Sequence, residues 1–359
     1  MINVNKVYLP PIEQYQKYLN KIWDTHWVTN EGPLLTELEK RINQYLKSDY
    51  TQVVSNGTIA IQLAIKAFNI TGEVITTPYS YVATTGALLW ENCQPVFCDI
   101  NKTDFCIDAS LIEEKITPRT TAILATHVYG LPCNVEAIEA IGKKHNLKVI
   151  YDGAHAFGCV YNGKSLLSYG DIATCSLHGT KLFHMVEGGL VTCHEKKLHE
   201  EIMLLKSFGH KGDEHISMGI NAKNSEFHAA MGLCLIDFMG ENVRKRKELH
   251  NTYKKLLSSA PLEHPVIPAK NFEYNYSYFP VLFESEKIML EVKDMLAQNG
   301  VNTRRYFYPS LNQLPYLKTK VQCKVSDDVA LRVLSLPFYY DLSIQEVKHI
   351  SGLISKFFK

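Results

Sequence analysis

LKVIYDGAHAFG (residues 147–158) and IATCSLHGTKLFHMVEGGLVTC (172–193) decide the fold of this 359-residue chain. Each opens on a short apolar, β-branched run that breaks into glycine and polar residues, the pattern of a buried strand running into a loop. Asp152 closes the first run, His155 follows three residues on, and Lys181 stands 29 residues after the acid, with Ser176 between. GLVTC (189–193) reads as one strand more.

Outward from there, VITTP (74–78), PVFCDI (95–100) and TAILATHVYG (121–130) read as further buried strands. Helical spacing over 108–116 and 134–145 alternates with them, and Asn134 is placed to cap the second helix. Strands alternating with helices predict parallel βαβ units and a mostly parallel sheet covered on both faces, an α/β fold. From Ser225 the pattern changes. SEFHAAMGLCLIDFMGENVRKRKELHNTYKKLL (225–257) predicts one long helix or a closely linked pair that leaves the first domain. Strand-like YSYFPVLF (276–283) and helical stretches at 286–300 and 344–358 then predict a smaller α/β domain. The expected division is a large domain over 1–245, including the N-terminal segment, and a small C-terminal domain over 246–359.

Composition removes several function classes. Lys plus Arg (38) balances Asp plus Glu (37), so no global basic field attracts nucleic acid. The run Arg244-Lys245-Arg246-Lys247 sits in helical periodicity and reads as a solvated helix face. No apolar stretch reaches membrane-spanning length, and MINVNKVYLPPIEQY lacks the layout of a signal peptide. Nine cysteines without a C-x-x-C pair suggest reduced thiols in a cytoplasmic protein, and neither a disulfide framework nor a metal site is expected. G-x-G-x-x-G and G-x-x-x-x-G-K-[ST] are both missing, which argues against dinucleotide and nucleoside-triphosphate sites.

Ligands of open α/β sheets bind beyond the carboxyl ends of the strands. Asp152 is predicted there, and so is the start of a helix in VVSNGTIAIQLAIKAF (53–68). Asn56-Gly57-Thr58 opens that helix, where free N–H groups and the helix dipole favour a phosphate; an ordinary N-cap would read the same way. Lys181 lies among Cys175, Leu177, Gly179, Leu182 and Phe183. Apolar surroundings would lower its pKa and leave the neutral amine that attacks a carbonyl. His178 and His184 are open between ligand contact and packing, and Glu187 between a turn acid and a lysine partner. A phosphate cradle, an acid and such a lysine are together what pyridoxal phosphate requires.

The motifs N-G-T (56–58), T-P-Y-S-Y-V-A-T (77–84), D-G-A-H-A-F-G (152–158), S-L-H-G-T-K-x-x-x-x-x-E-G-G (176–189) and G-I-N-A-K-N-S-E-F-H-A-A-M-G (219–232) carry a resemblance. In that order and spacing the chain resembles the DegT/DnrJ/StrS family of pyridoxal-phosphate-dependent nucleotide-sugar aminotransferases. The likeness runs from LPPIEQY and WVTNEGPL to RRYFYPSL. It implies a fold type I aminotransferase and a homodimer with shared active sites.

Carried onto matching positions, the resemblance makes Lys181 the amine that bonds to the cofactor and later shuttles the proton. Asp152 would pair with the ring nitrogen, His155 contact the phenolic oxygen, and Tyr81 stack on the ring. Gly57, Thr58 and Ser176 would bind the phosphate, and Asn221 would reach the phosphate of the partner's cofactor. Asn30, His184, Arg304, Arg305, Tyr306 and Tyr308 are candidates for the sugar-nucleotide pocket, the two arginines for its pyrophosphate; domain packing is the other reading of WVTNEGPL and RRYFYPSL. Relatives often have Arg where Lys223 stands, and Ala where Gly153 and Gly179 stand, a change expected merely to loosen packing.

The implied reaction moves an amino group from glutamate to C-4 of a dTDP-4-keto-6-deoxyhexose, for surface-polysaccharide synthesis. L-F-H-M-V-E-G-G after the lysine favours C-4, because C-3 enzymes of the family tend to read N-L-G-A there. The alternatives are a 3-keto sugar, a UDP- or GDP-linked 4-keto sugar, or a non-catalytic regulator that binds the cofactor. A related dehydratase would have histidine in place of Lys181.

Overall fold

The computed structural model describes every residue of the chain except 319. Seven strands form the central sheet: β1 (Tyr50–Val54), β2 (Glu73–Thr76), β3 (Gln94–Phe97), β4 (Thr120–Thr126), β5 (Lys148–Asp152), β6 (Ile172–Ser176) and β7 (Gly189–Cys193). Their spatial order is β1-β7-β6-β5-β4-β2-β3, and β7 alone runs antiparallel to its neighbours. Among the described residues there are eleven α-helices. The first eight are α1 (Ile12–Thr25), α2 (Pro33–Leu46), α3 (Gly57–Ala67), α4 (Val82–Trp90), α5 (Val135–His145), α6 (Lys196–Lys206), α7 (Glu226–Ile236) and α8 (Met239–Leu256). The last three are α9 (Glu286–Gln298), α10 (Lys324–Arg332) and α11 (Ile344–Phe357).

The sheet is apolar on both faces because side chains alternate along each strand. Val53, Ile123 and Val149 enter one core, and their neighbours Val54, Leu124 and Ile150 enter the opposite one. A third core gathers Leu249, Tyr253, Phe279, Val281, Met289, Val292, Ile350 and Ile354. It is organised on the antiparallel pair β8 (Pro280–Leu282) and β9 (Val333–Ser335). α8 connects the regions: Met239 packs in the first core, and Leu249 and Tyr253 in the third. The stretch 225–257 is therefore the linked pair α7 and α8. Among the described residues no helix is long and apolar enough to cross a membrane.

The structure departs from expectation in three places. Residues 108–116 form two 3₁₀ turns, Ala109–Leu111 and Glu113–Lys115, and no α-helix. Ile107 is tied to Ile100 and Asp108 N–H to the Asp99 carbonyl, and the few residues left are too short to nucleate a helix. The run from 121 leaves the sheet after Thr126, where Tyr129 adopts a positive φ of 56°. Val53 and Val54, which open the VVSNGT stretch, belong to edge strand β1. That strand delivers the chain directly to the start of α3.

Candidate active site

Four backbone ends converge on one cavity of about 620 Å³: the starts of α3 and α4 and the ends of β5 and β6. Gly57, Thr58, Tyr81, Asp152, His155, Ser176, Lys181, Arg304 and Tyr306 all line it. Glycines make the close approaches. A Cβ at Gly57 would lie 2.9 Å from Ser176 Cβ, and one at Gly189 would lie 2.2 Å from the Asn56 carbonyl oxygen. The Asn56 side chain accepts from Ile59 N–H at 2.9 Å and caps α3. The first N–H groups of a helix lack intrahelical partners, so those of Gly57 and Thr58, beside the Ser176 hydroxyl, form an anion cradle.

Asp152 is buried at the end of β5. Its Oδ1 accepts from Ala154 N–H at 3.0 Å and its Oδ2 from the Thr84 hydroxyl at 2.7 Å. Both of these donors are neutral, and a protonated ring nitrogen would give the buried carboxylate a cationic one. Thr84 and its partner Ser80, whose hydroxyls lie 2.8 Å apart, were missed in the sequence, although both fall within the T-P-Y-S-Y-V-A-T motif.

His155 is buried too, and its Nδ1 accepts from Tyr129 N–H at 3.2 Å. The other nitrogen then carries the proton and can only donate. Burial first, and the nearby Lys181 charge second, hold its pKa well below the ordinary histidine value, so the ring is neutral. Tyr81 is 57% exposed, which excludes a core-aromatic role and leaves its ring free to cover a ligand in the cavity.

Lys181 overturns one expectation. Burial does press its pKa down, but Tyr278, Asp152 and Cys175 together outweigh burial and the net direction is up. Its amine donates to the Tyr278 hydroxyl at 3.4 Å. Apolar neighbours in the sequence conceal these acceptors, which come from distant segments. His178 and Glu187 also line the cavity and pair with each other at 3.4 Å; Glu187 is thus neither a plain turn acid nor a partner of Lys181.

Five predicted residues do not line this cavity. His184 is buried and its Nε2 donates to the Tyr8 carbonyl at 2.9 Å, which makes it a packing residue. Arg305 is committed to Glu286 at 2.8 Å and to the Leu331 carbonyl at 2.9 Å, so only Arg304 of the arginine pair faces the cavity. Tyr308 is 49% exposed beneath the Arg305 guanidinium. Asn30 and Asn221 are exposed on the surface, and Lys223 donates to Asn221 Oδ1 at 2.9 Å. Gly153 corrects another expectation. A Cβ there would lie 2.3 Å from Leu167 Cδ2, so the glycine admits Leu167 and does not loosen the packing; only Gly179 has room for a methyl group.

Comparison with known proteins finds relatives along almost the full length of the chain. The model of the DegT/DnrJ/EryC1/StrS aminotransferase family matches residues 11–355. A dTDP-4-amino-4,6-dideoxy-D-glucose transaminase of Shigella dysenteriae is 40% identical, over 98% of both chains. A protein of the same name from Escherichia coli is 37% identical, again over 98% of both. Among solved structures, DesI in the presence of its TDP-sugar product superposes with a TM-score of 0.93 at 30% identity, covering 98% of this chain and 92% of that one.

Proposed function

The chain belongs to the DegT/DnrJ/EryC1/StrS aminotransferase family, and from that premise we propose that it is a pyridoxal-phosphate-dependent nucleotide-sugar transaminase. Its reaction carries an amino group from glutamate to C-4 of a dTDP-4-keto-6-deoxyhexose, giving dTDP-4-amino-4,6-dideoxyglucose when the amine is set equatorially on dTDP-4-keto-6-deoxyglucose. The observation that carries this reading is the single cavity that unites Lys181, Asp152 and the anion cradle at Gly57, Thr58 and Ser176.

Those residues fit the cofactor group by group. The cradle matches a phosphate, the buried Asp152 a protonated ring nitrogen, the His155 donor a phenolic oxygen, and the Lys181 amine an aldehyde. Pyridoxal phosphate supplies, when bound, an aldehyde and a ring that stabilises negative charge on the carbon losing its proton. Lys181, once free, accepts that proton and delivers it to the acceptor carbon, the work of a general base that becomes a general acid. Asp152 keeps the ring nitrogen charged, and Tyr81 covers the ring. Arg304 at the mouth suits the pyrophosphate of the sugar nucleotide.

The active assembly is a homodimer in which Asn221 completes the neighbouring site. In support, exposed Trp27, Val28, Phe208, Ile216, Met218 and Ile220 lie on the segments joined by the Thr29–Ser225 and Ser207–Asn221 bridges, an apolar surface beside Asn221. All nine cysteines are buried free thiols, which supports a reducing, cytoplasmic location. The product amine suits assembly of a surface polysaccharide.

The deciding experiment is NMR of the product formed from dTDP-4-keto-6-deoxyglucose and glutamate. An equatorial amine at C-4 is expected. An axial amine would assign the other configuration, and turnover of a 3-keto, UDP- or GDP-sugar in its place would overturn the substrate.

A further inference from the structure

The Tyr278 hydroxyl, 3.4 Å from the Lys181 amine, matches no group of the cofactor. Among the described residues it is the one hydrogen-bond partner of that amine. It reaches the site from 97 residues further along the chain, on the segment that leads into β8.

This segment is fastened on every side. The Asn275 amide donates to the carbonyls of His155 at 2.8 Å and Phe157 at 2.9 Å. The Ser277 hydroxyl donates to the same His155 carbonyl at 3.2 Å. The Tyr278 ring meets His155 edge-on at 5.0 Å and Tyr306 at 5.8 Å. One turn of α8 fixes both sides of the pair. Asn242 donates to the Leu182 carbonyl at 3.1 Å, next to the lysine, and Arg246 donates to Asn242 at 2.9 Å and to the Ser277 carbonyl at 3.2 Å, next to the tyrosine. A flexible lysine thus faces a fixed hydroxyl.

Given Lys181 as the proton-transferring amine, we propose that Tyr278 is its positioning residue, the acceptor that holds the ammonium between proton pick-up and delivery. Lys181 takes a proton from the substrate carbon and one of its N–H bonds then points at the Tyr278 oxygen. The same lysine gives up a proton to the acceptor carbon, and the phenol ends unchanged. An ammonium with four rotatable carbons above it would otherwise sample many orientations, and a fixed acceptor removes that freedom. Asp152, Cys175, His155 and Tyr306 are the other titratable groups facing the amine, and among the described residues none of them is hydrogen-bonded to it.

The test begins on the full chain without cofactor. Acetic anhydride labelling of Lys181, followed across pH by mass spectrometry, reports the amine directly. Tyr278→Phe is expected to move the labelling midpoint down by about one unit, because the charged amine loses its acceptor. Tyr278→His, which retains an acceptor nitrogen, is expected to return it toward the parent value, and Tyr278→Leu, which also removes the acceptor, takes the place of the Phe variant should that one not fold. In the loaded enzyme, Tyr278→Phe should lower kcat about tenfold at nearly constant KM and carry the acidic limb of the pH profile downward. Labelling curves that superimpose for the parent and the variant lacking the acceptor, Tyr278→Phe or Tyr278→Leu, would overturn the proposal. A parent protein that forms no Lys181-dependent visible band with pyridoxal phosphate would instead overturn the reading beneath it, and labelling would still judge the pair.

Discussion

Thr84 on α4 donates its hydroxyl to Asp152 on β5 at 2.7 Å, across 68 residues of chain. Through this bond the helix behind T-P-Y-S-Y-V-A-T holds the acid that ends LKVIYD. With Ala154 N–H on the other oxygen, the carboxylate is immobile before any ligand arrives. That preorganisation separates two substitutions at the same spot.

Asp152→Asn leaves the ring nitrogen of the cofactor facing a neutral amide, and breaking a buried pair costs ~3–5 kcal/mol. A fall in kcat/KM of more than about a hundredfold is expected. Thr84→Val keeps the charge and loses one donor, worth roughly 1–3 kcal/mol for a bond to a charged group. Steady-state kinetics of both variants should rank them in that order.

At Gly57 the relevant space is already taken. A methyl group there would press on Ser176 at 2.9 Å. Gly57→Ala should therefore weaken cofactor binding and destabilise the chain by ~1–3 kcal/mol. Cofactor titration and urea unfolding measure the two effects separately.

The neighbouring arginines should part company. Arg304→Ala is expected to raise KM for the nucleotide sugar with stability preserved, because Arg304 lines the cavity. Arg305→Ala should lower the melting temperature and leave that KM nearly unchanged, because Arg305 is bound to Glu286 and to backbone carbonyls. Equal effects on KM would contradict the assignment.

Acid should destabilise the chain between about pH 6.5 and 4. Burial, and secondarily the Lys254 charge at His264, lowers the pKa of His250 and His264 to about 4, and His155 is pushed down as well. The unfolded chain binds protons on these rings near pH 6.5 and the folded chain does so only lower, so stability falls as pH drops through that interval. Thermal midpoints recorded across it should show a shallower slope in His264→Gln.

Asn221 and Lys181 should complement each other between subunits. Lys181→Ala and Asn221→Asp chains, each weak or inactive alone, are expected to recover activity when unfolded together and refolded as a mixture. One site of each mixed dimer then has both native residues. No recovery, or a monomer in sedimentation at the assay concentration, would contradict the shared site.

The meeting of Lys181 and Asp152 in one cavity was legible because strand endings and glycine breaks are local signals that survive in a short window of text. The same is true of the capped start at Asn56. Thr84 and Tyr278 were not, since a hydroxyl has no periodic signature and its partner is chosen by tertiary packing 68 or 97 residues away. The direction of the Lys181 pKa shift failed for the same reason. Its apolar sequence neighbours were visible and its acceptors were not. Residues 108–116 show the opposite error, a plausible helical spacing in a stretch anchored too closely at Ile107 and Asp108 to form one.

The turn of α8 that spans Asn242 and Arg246 has a mechanical consequence. It touches the backbone beside Lys181 and the backbone beside Tyr278 from side chains one helical turn apart, a separation that an α-helix sets at about 6 Å. The helix therefore acts as a caliper whose jaws are the two carbonyls. The gap between the base and its acceptor is therefore set by the helix and not by the loops that line the cavity. Rigidity at the proton thus comes from a helix that does not itself line the cavity.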